Sequence, residues 1–244
     1  MRIRVLTYNV HKCIGGVDRR YRPERVGDII AHYEPDIALL QEVTSGLKRS
    51  REHRQVDLLG SRLDMVHRAY GPNVRYAKGG EYGNAVLGRH PIVDLRNIDL
   101  TVPPKKSRGA LHVHTRIRSE AAGRRVALHV FNLHLGLSGI ERKMQLRRFL
   151  ESQPFSGLDK RSPIILAGDF NDVWGTLGRK LLAPAGFRGV PRPIRTFPAF
   201  APMRALDAIY LRGPVEFVRV FRSRLNLAKQ ASDHLPLIAD LELG

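Results

Sequence analysis

Short apolar segments with the period of β-strands recur along most of the chain. Residues 3–9 (IRVLTYN) and 125–133 (RVALHVFNL) are rich in β-branched and aromatic side chains, and the second alternates apolar with polar positions. Two shorter runs, 36–41 (DIALLQ) and 163–168 (PIILAG), are more continuously apolar and predict buried strands. Weaker strand patterns are found at 84–88, 92–101, 109–117, 206–211, 215–221 and 235–243.

Helical patterns separate some of these strands. Pro23 starts the first helix, because its fixed backbone suits the first helical position and apolar residues follow at the helical spacing. These residues are Val26, Ile29, Ile30 and Tyr33. A second helix is predicted over residues 58–66 and a short one near 175–183, and residues 47–54, 103–108 and 191–202 are predicted to form loops.

A capping box, Ser138 with Glu141 three residues later, predicts the start of another helix. Its apolar residues are expected to be Ile140, Met144, Phe149 and Leu150. Several neighbouring strands lack a helix between them, which indicates mixed rather than purely parallel sheets. Two packed sheets flanked by helices fit this pattern, and so does one large mixed sheet.

The composition fits a globular enzyme or binding domain. Apolar residues make up 43% of the 244 positions and charged residues 26%, which excludes collagen-like and disordered chains. We expect one domain over residues 1–244. The pattern contains neither a transmembrane run nor a signal-peptide core. Because Cys13 is the only cysteine, no intrachain disulfide or thiolate metal cluster can form, and we expect a cytoplasmic location.

The charge balance is strongly basic. The 41 lysines and arginines exceed the 23 acidic residues, giving a formal net charge of +18. Such an excess favours a polyanionic partner, namely nucleic acid, an anionic membrane surface or a phosphorylated substrate.

Polar residues of one chemical kind follow the ends of the predicted strands. They are Asn9, Glu42, Asn132, His134, Asp169, Asn171, Asp207, Asp233 and His234. Functional sites in layered α/β proteins collect at such strand ends. Oxygen donors with imidazoles suit Mg²⁺ or Mn²⁺, and clustered carboxylates repel a phosphate unless a divalent cation bridges them. The sequence therefore indicates metal-assisted phosphate chemistry.

Five short motifs in this order resemble the endonuclease/exonuclease/phosphatase superfamily, whose members include deoxyribonuclease I. They are TYNV (7–10), LLQE (39–42), NLHLG (132–136), GDFN (168–171) and SDHLP (232–236). The resemblance covers residues 4–241. Four segments are most similar to the bacterial YbhP-like branch: GNAVLGRHPI (83–92), SRGAL (107–111), AGDFNDVW (167–174) and RTFPAFAPMRALDAIY (195–210). It implies a four-layer α/β/β/α sandwich, with two packed mixed sheets flanked by helices, and Mg²⁺-dependent phosphoester hydrolysis.

The resemblance also implies metal ligands. Glu42 would be the principal ligand of Mg²⁺, with Mn²⁺ as an alternative ion. Asn9 would orient Glu42 or share the ion, and Asp233 would reach it.

The same resemblance implies roles for the catalytic residues. His234 would act as a general base or orient the phosphate, with Asp207 fixing its tautomer. Asp169 would position or deprotonate the attacking water. Asn171 and His134 would hydrogen-bond phosphoryl oxygens, and His134 could instead protonate the leaving oxygen.

Four further residues complete this interpretation. Arg108 would bind the substrate phosphate. Glu81 lies about one residue out of register with the glutamate that supports the corresponding histidine in deoxyribonuclease I-like members, so it is not expected to support His134. Asp172 is expected to be a loop residue or cap. Trp174 is expected to pack in the core or at its rim, with stacking on the substrate as the alternative.

The leading functional hypothesis is a nuclease acting on DNA or RNA. The alternative is a phosphodiesterase or phosphatase acting on a phospholipid or a phosphorylated small molecule. A phosphate-binding module without activity is disfavoured, because every polar motif position is filled.

Overall fold

Twelve strands form two six-stranded sheets in the computed structural model, which describes residues 1–119 and 123–244. The strands are β1 (Arg2–Asn9), β2 (Ile37–Ser45), β3 (His67–Arg75), β4 (Glu81–Gly88), β5 (Ile92–Asp99), β6 (Gly109–Ser119), β7 (Arg124–His134), β8 (Ile164–Asp169), β9 (Arg188–Gly189), β10 (Asp207–Arg212), β11 (Val215–Arg222) and β12 (Leu237–Leu243). Sheet one has the order β11-β12-β1-β2-β4-β3, and sheet two the order β5-β6-β7-β8-β10-β9.

Both sheets are mixed. The pairs β1–β2 and β7–β8 are parallel, and the other neighbours are antiparallel. The continuous apolar runs at 36–41 and 163–168 correspond to β2 and β8, which lie in the middle of their sheets. In β8, Ile165 packs between the sheets while Ile164 and Leu166 pack under the outer layer of sheet two. A strand in a middle layer buries both of its faces.

Helices cover the outer face of each sheet. These are α1 (Pro23–Tyr33), α2 (Gln55–Arg62), α3 (Gly139–Glu151) and α4 (Ala228–Ala231), with a π-helical turn at Gly178–Leu182 and 3₁₀ turns at His11–Cys13, Lys48–Ser50 and Phe155–Gly157. Helices α1, α2 and α4 share a core with sheet one, and α3 with sheet two. The four-layer α/β/β/α sandwich is confirmed. In the described ranges, none of the helices is long and apolar enough to cross a bilayer.

Side-chain amides join the two sheets across their apolar interface. Asn132 of β7 donates to the carbonyl oxygens of Leu40 and Ala85 in sheet one, at 2.8 Å each. Its own Oδ1 accepts a hydrogen bond of 2.8 Å from Gln41. Asn84 of β4 donates in the opposite direction, to the carbonyl of Gly109 at 2.9 Å. Because these groups are buried, the hydrogen bonds fix how the sheets are placed on one another. Asn132 therefore serves the fold rather than the site.

The bounds predicted for the second helix were wrong, and one strand was not predicted. Helix α2 ends at Arg62, and residues 67–75 form the strand β3. Pro72 is tolerated there because β3 is an edge strand with a bulge between Pro72 and Val74.

The helix predicted from Ser138 does begin there, but the Ser138 side chain makes no capping hydrogen bond. Glu141 accepts from Gln145 at 3.0 Å instead. Two of its four predicted apolar residues, Ile140 and Met144, are exposed.

Candidate active site

Strand ends from both sheets meet at one end of the sandwich. Asn9 lies at the end of β1, His134 at the end of β7 and Asp169 at the end of β8. Asp207 begins the neighbouring antiparallel strand, where it pairs in register with Asp169. A hydrogen bond of 3.0 Å from Nδ2 of Asn9 to Oδ2 of Asp169 connects the two sheets at this point. We call this the active-site end.

His234 and Asp207 form a buried pair. Nδ1 of His234 lies 2.8 Å from Oδ2 of Asp207, and the hydroxyl of Thr196 donates to the same oxygen. Burial opposes protonation, but the carboxylates of Asp207 and Asp169 raise the pKa of His234 from 6.5 to about 10. The imidazole therefore carries a proton at neutral pH, and its Nε2 is directed towards Asp169, 3.7 Å from Oδ2.

Asp169 is the centre of the cluster. Its Oδ2 accepts the hydrogen bond from Asn9 and lies 3.5 Å from Nε2 of His134. Its Oδ1 accepts from the backbone N–H of Asn171 at 3.0 Å. Burial raises the pKa of Asp169 to about 6, which leaves it able to accept a proton near neutral pH.

His134 and Asn171 border the same carboxylate. Burial, followed by the charge of Arg108, lowers the pKa of His134 well below 6.5, so the ring is neutral. Asn171 has a positive φ of 50°, and its Nδ2 donates to the carbonyl of Leu135 at 2.9 Å. This bond holds the Asn171 amide beside Asp169.

Glu42 lies where β2 is interrupted by a bulge between Leu40 and Val43, and its φ is +57°. Its Oε2 forms an ion pair with Nζ of Lys12. His11, Lys12 and Cys13 all have positive φ, and this turn directs Lys12 towards Glu42. Lys12 was not among the predicted site residues, because a lysine in a loop carries no signal of burial.

Further cations surround Tyr82, close to Glu42. The Nζ atoms of Lys12 and Lys106 lie 5.1 Å and 5.0 Å from the centre of the Tyr82 ring. Burial, with the charges of Arg49 and Lys106, lowers the pKa of Lys12 to about 8. Arg108 is only 9% exposed, and its Nε has no hydrogen-bond partner among the described residues. A buried guanidinium in this state is suited to receive an anion.

The donor set fits a divalent cation. Atoms of Asp169, Asp207 and His234 lie within 4.8 Å of one another, but the protonated His234 has no free lone pair for a metal ion. This group differs from the predicted ligands Glu42, Asn9 and Asp233, which line the sheet-one side of the cluster. Oε2 of Glu42 is a hard oxygen donor of the kind that Mg²⁺ prefers. Oδ1 of Asn9 is another: one of its lone pairs accepts from the backbone N–H of His11, and the second is left for an ion.

Asp233 and Glu81 have partners at the edge of this cluster. Oδ1 of Asp233 lies 3.9 Å from Nδ1 of His11, and the Asp233 side chain is 35% exposed. Glu81 pairs with Arg75 at 3.2 Å, in agreement with the expectation that it does not support His134.

Two neighbours of Asn171 have different places in the structure. Asp172 accepts from the N–H of Leu177 at 2.7 Å and so acts as a cap, as expected. Trp174 is 81% exposed and lines the edge of a cavity, so of the predicted places only packing in the core was wrong.

Comparisons with known proteins agree with this geometry. The model of the Endonuclease/Exonuclease/phosphatase family matches residues 6–234. YbhP of Escherichia coli K12 is 32% identical over 256 residues, covering 98% of this chain and 96% of YbhP. The endonuclease/exonuclease/phosphatase structure from Beutenbergia cavernae superimposes with a TM-score of 0.82 at 24% identity, covering 100% of this chain and 72% of that one. D. rerio TDP2, complexed with a single-strand DNA product, gives 0.70 at 19% identity, with 99% of both chains covered.

Proposed function

Because the chain belongs to the endonuclease/exonuclease/phosphatase family, we propose that it hydrolyses phosphodiester bonds with a divalent cation, Mg²⁺ or Mn²⁺. The observation that carries the proposal is the cluster around Asp169, where two imidazoles and the Asn9 amide approach one carboxylate. Glu42, Asn9 and Asp233 would hold the ion. When bound, it would neutralise the phosphate and polarise a phosphoryl oxygen.

The protonation states support a division of roles. Asp169, with a pKa of about 6, is suited to accept the proton of the attacking water. His234 is protonated through its contact with Asp207 and would stabilise a phosphoryl oxygen as a cation. Neutral His134 would donate a hydrogen bond to another oxygen.

Two more groups would hold the substrate. Arg108 would bind a nonbridging oxygen through its unpartnered guanidinium edge. Asn171 would place its amide against the same phosphate. The reaction adds water to phosphorus and breaks one ester P–O bond, giving one phosphomonoester and one alcohol.

The net charge of +18 makes nucleic acid the first substrate class to examine, and the similarity to DNA-bound TDP2 supports the same choice. Phospholipids and phosphorylated small molecules are the second class. The cytoplasm remains the compartment that we predict.

The test is a hydrolysis panel with plasmid DNA, RNA, an abasic oligonucleotide, phospholipids and bis(p-nitrophenyl) phosphate, each with Mg²⁺, Mn²⁺ or EDTA. We expect activity only with added metal, and loss of it in Glu42→Gln. Asp36→Asn is the matched control, because Asp36 lies at the opposite end of β2. Undiminished activity after chelation would refute the metal-dependent mechanism.

A further inference from the structure

Exposed apolar side chains are concentrated at the active-site end. Among the described residues, seven large apolar side chains are at least 64% exposed, and six of them lie in connections at this end. These six, which we call the apolar rim, are Val17, Leu137, Ile140, Trp174, Phe200 and Met203. Single exposed apolar residues are normal on any protein surface. Six around one site are not explained in that way and indicate a binding surface.

The topology explains how the rim surrounds the site. Val17 follows β1, which ends at Asn9, and Trp174 follows β8, which ends at Asp169. Leu137 lies in the connection after β7, and Ile140 in the first turn of α3. Phe200 and Met203 precede β10 and therefore Asp207. Each rim residue is thus attached to a strand end that supplies a site residue.

Cations are interspersed with the rim. Four exposed arginines, Arg19, Arg20, Arg192 and Arg204, lie in the connections that carry the rim, and the exposed Lys78 and Lys105 lie in the β3–β4 and β5–β6 connections. Apolar side chains that enter the boundary of a lipid layer, next to basic side chains that attract anionic headgroups, are the combination found in interfacial membrane binding.

The chemistry of the rim favours lipid over nucleic acid. Bases stack on aromatic rings. Four of the six rim side chains, those of Val17, Leu137, Ile140 and Met203, are aliphatic and offer no ring. The hydrocarbon of a bilayer accommodates both aliphatic and aromatic side chains, and Trp is enriched at the membrane–water interface.

An apolar cavity lies beside the site. It has a volume of about 410 Å³ and is lined by Asp207 together with Phe170, Trp174, Phe187, Ile194 and Tyr210. A substrate whose phosphate lies against Asp169 and Arg108 could place an apolar group here. The cavity shares only Trp174 with the rim, and it too points to an amphiphilic substrate.

We propose that the apolar rim and its basic neighbours dock on an anionic phospholipid bilayer, and that the phosphodiester hydrolysed there belongs to a phospholipid. The second half of this inference rests on the proposed function. Water adds to the lipid phosphorus, one P–O ester bond breaks, and the departing oxygen leaves as an alcohol, so that a phosphomonoester remains.

The test compares the wild type with the rim variant Val17→Ser, Leu137→Ser, Ile140→Ser, whose side chains do not line the cavity. The matched control, Val66→Ser, Val93→Ser, Leu95→Ser, removes exposed apolar side chains that lie away from the site. Cosedimentation is measured with vesicles of phosphatidylcholine, with and without phosphatidylglycerol. We expect the wild type and the control to bind the anionic vesicles, and the rim variant to bind at least about tenfold more weakly.

Two further measurements separate this inference from the proposed function. Hydrolysis of bis(p-nitrophenyl) phosphate with Mg²⁺ should be equal in all three proteins, whereas release of phosphomonoester from the vesicles should fall only in the rim variant. If no phosphodiester is hydrolysed by any of the three, the proposed function fails while vesicle binding still tests docking. The docking inference is overturned if the wild type does not bind anionic vesicles, or if the rim variant binds them equally well. Binding of single-stranded DNA is measured in parallel, and the inference is also overturned if the rim variant loses this binding instead of vesicle binding.

Discussion

Replacing Asp207 is expected to remove most of the catalytic contribution of His234, because the two side chains form one buried unit. Oδ2 of Asp207 lies 2.8 Å from Nδ1 of His234 and also accepts from Thr196. Asp207 is 3% exposed and His234 5%, so solvent cannot readily replace a lost partner. Asp207 also fixes the ring orientation that directs Nε2 of His234 towards Asp169.

The size of the effect follows from the protonation of His234. Burial opposes the charge, yet the carboxylates of Asp207 and Asp169 raise the pKa from 6.5 to about 10. At about 1.4 kcal/mol per pH unit, this corresponds to about 5 kcal/mol in favour of the protonated ring. Without Asp207, burial and the remaining contact of 3.7 Å to Asp169 act against each other. We therefore expect Asp207→Ala to lower kcat by about 10²–10³-fold, the range for a lost group that stabilises charge in the transition state.

The same pair affects stability, with a defined sign. Because the folded-state pKa of His234 is raised, the stabilisation is complete below pH 6.5 and is lost as the pH rises towards about 10. The loss of unfolding free energy in Asp207→Asn should accordingly be larger in weakly acidic than in alkaline buffer. Denaturant titration of wild type and variant at several pH values measures this difference.

The kinetic assay compares Asp207→Ala, His234→Ala and the double variant on one phosphodiester substrate, with folding checked by circular dichroism. Residues that act as a unit are strongly non-additive, so all three should have similar kcat values. Thr196→Val is the matched control, since it removes one donor to Asp207 and leaves the pair in place. A double variant whose loss equals the product of the two single losses would refute the reasoning and make Asp207 an independent structural or metal-binding group.

Three further predictions concern other charged and titratable side chains. Glu42→Gln should weaken Mg²⁺ binding in calorimetric titration more than His234→Ala does, and equal affinities would show that Glu42 is not the principal ligand. Lys12→Met should tighten Mg²⁺ binding, because the Lys12 ammonium competes for the Glu42 carboxylate; an unchanged affinity would contradict this. Burial lowers the pKa of both His112 and His129 to about 4, so stability should be lost as the pH falls from 6.5 towards 4. In denaturant titrations, His129→Gln should make the free energy of unfolding depend less on pH between 6.5 and 4. An unchanged pH dependence would show that His129 is not one of the groups responsible.

The strands of the central layers could be predicted because burial on both faces requires an apolar run, which is visible in the local sequence. The run at 163–168 is apolar throughout, and β8 is buried on both faces. Strand β3 escaped prediction because Gly71 and Pro72 interrupt its pattern, and its pairing with β4 is a property of the tertiary structure. In α3 the apolar pattern did not mark the buried face, because Ile140 is exposed while Glu141 and Gln145 are buried.

The candidate site was predicted better in membership than in geometry. The motifs identified Asn9, Asp169 and His234, and the fold brings these residues together. Lys12 and Thr196 were not identified. Their contacts with Glu42 and Asp207 arise from loop conformations that no local periodicity encodes.

The amide bridge of Asn132 has a consequence for heat inactivation. The sheet-one side of the site supplies Asn9 and Glu42, and the sheet-two side supplies Asp169, so the geometry depends on how the two sheets are aligned. The hydrogen bonds from Asn132 to Leu40 and Ala85 hold that alignment. Misplacement of a reacting group by about 1 Å can cost about 10²-fold in rate. On warming, a small slip between the sheets would therefore abolish turnover while both sheets were still intact, so that the enzyme loses its activity at a lower temperature than its secondary structure.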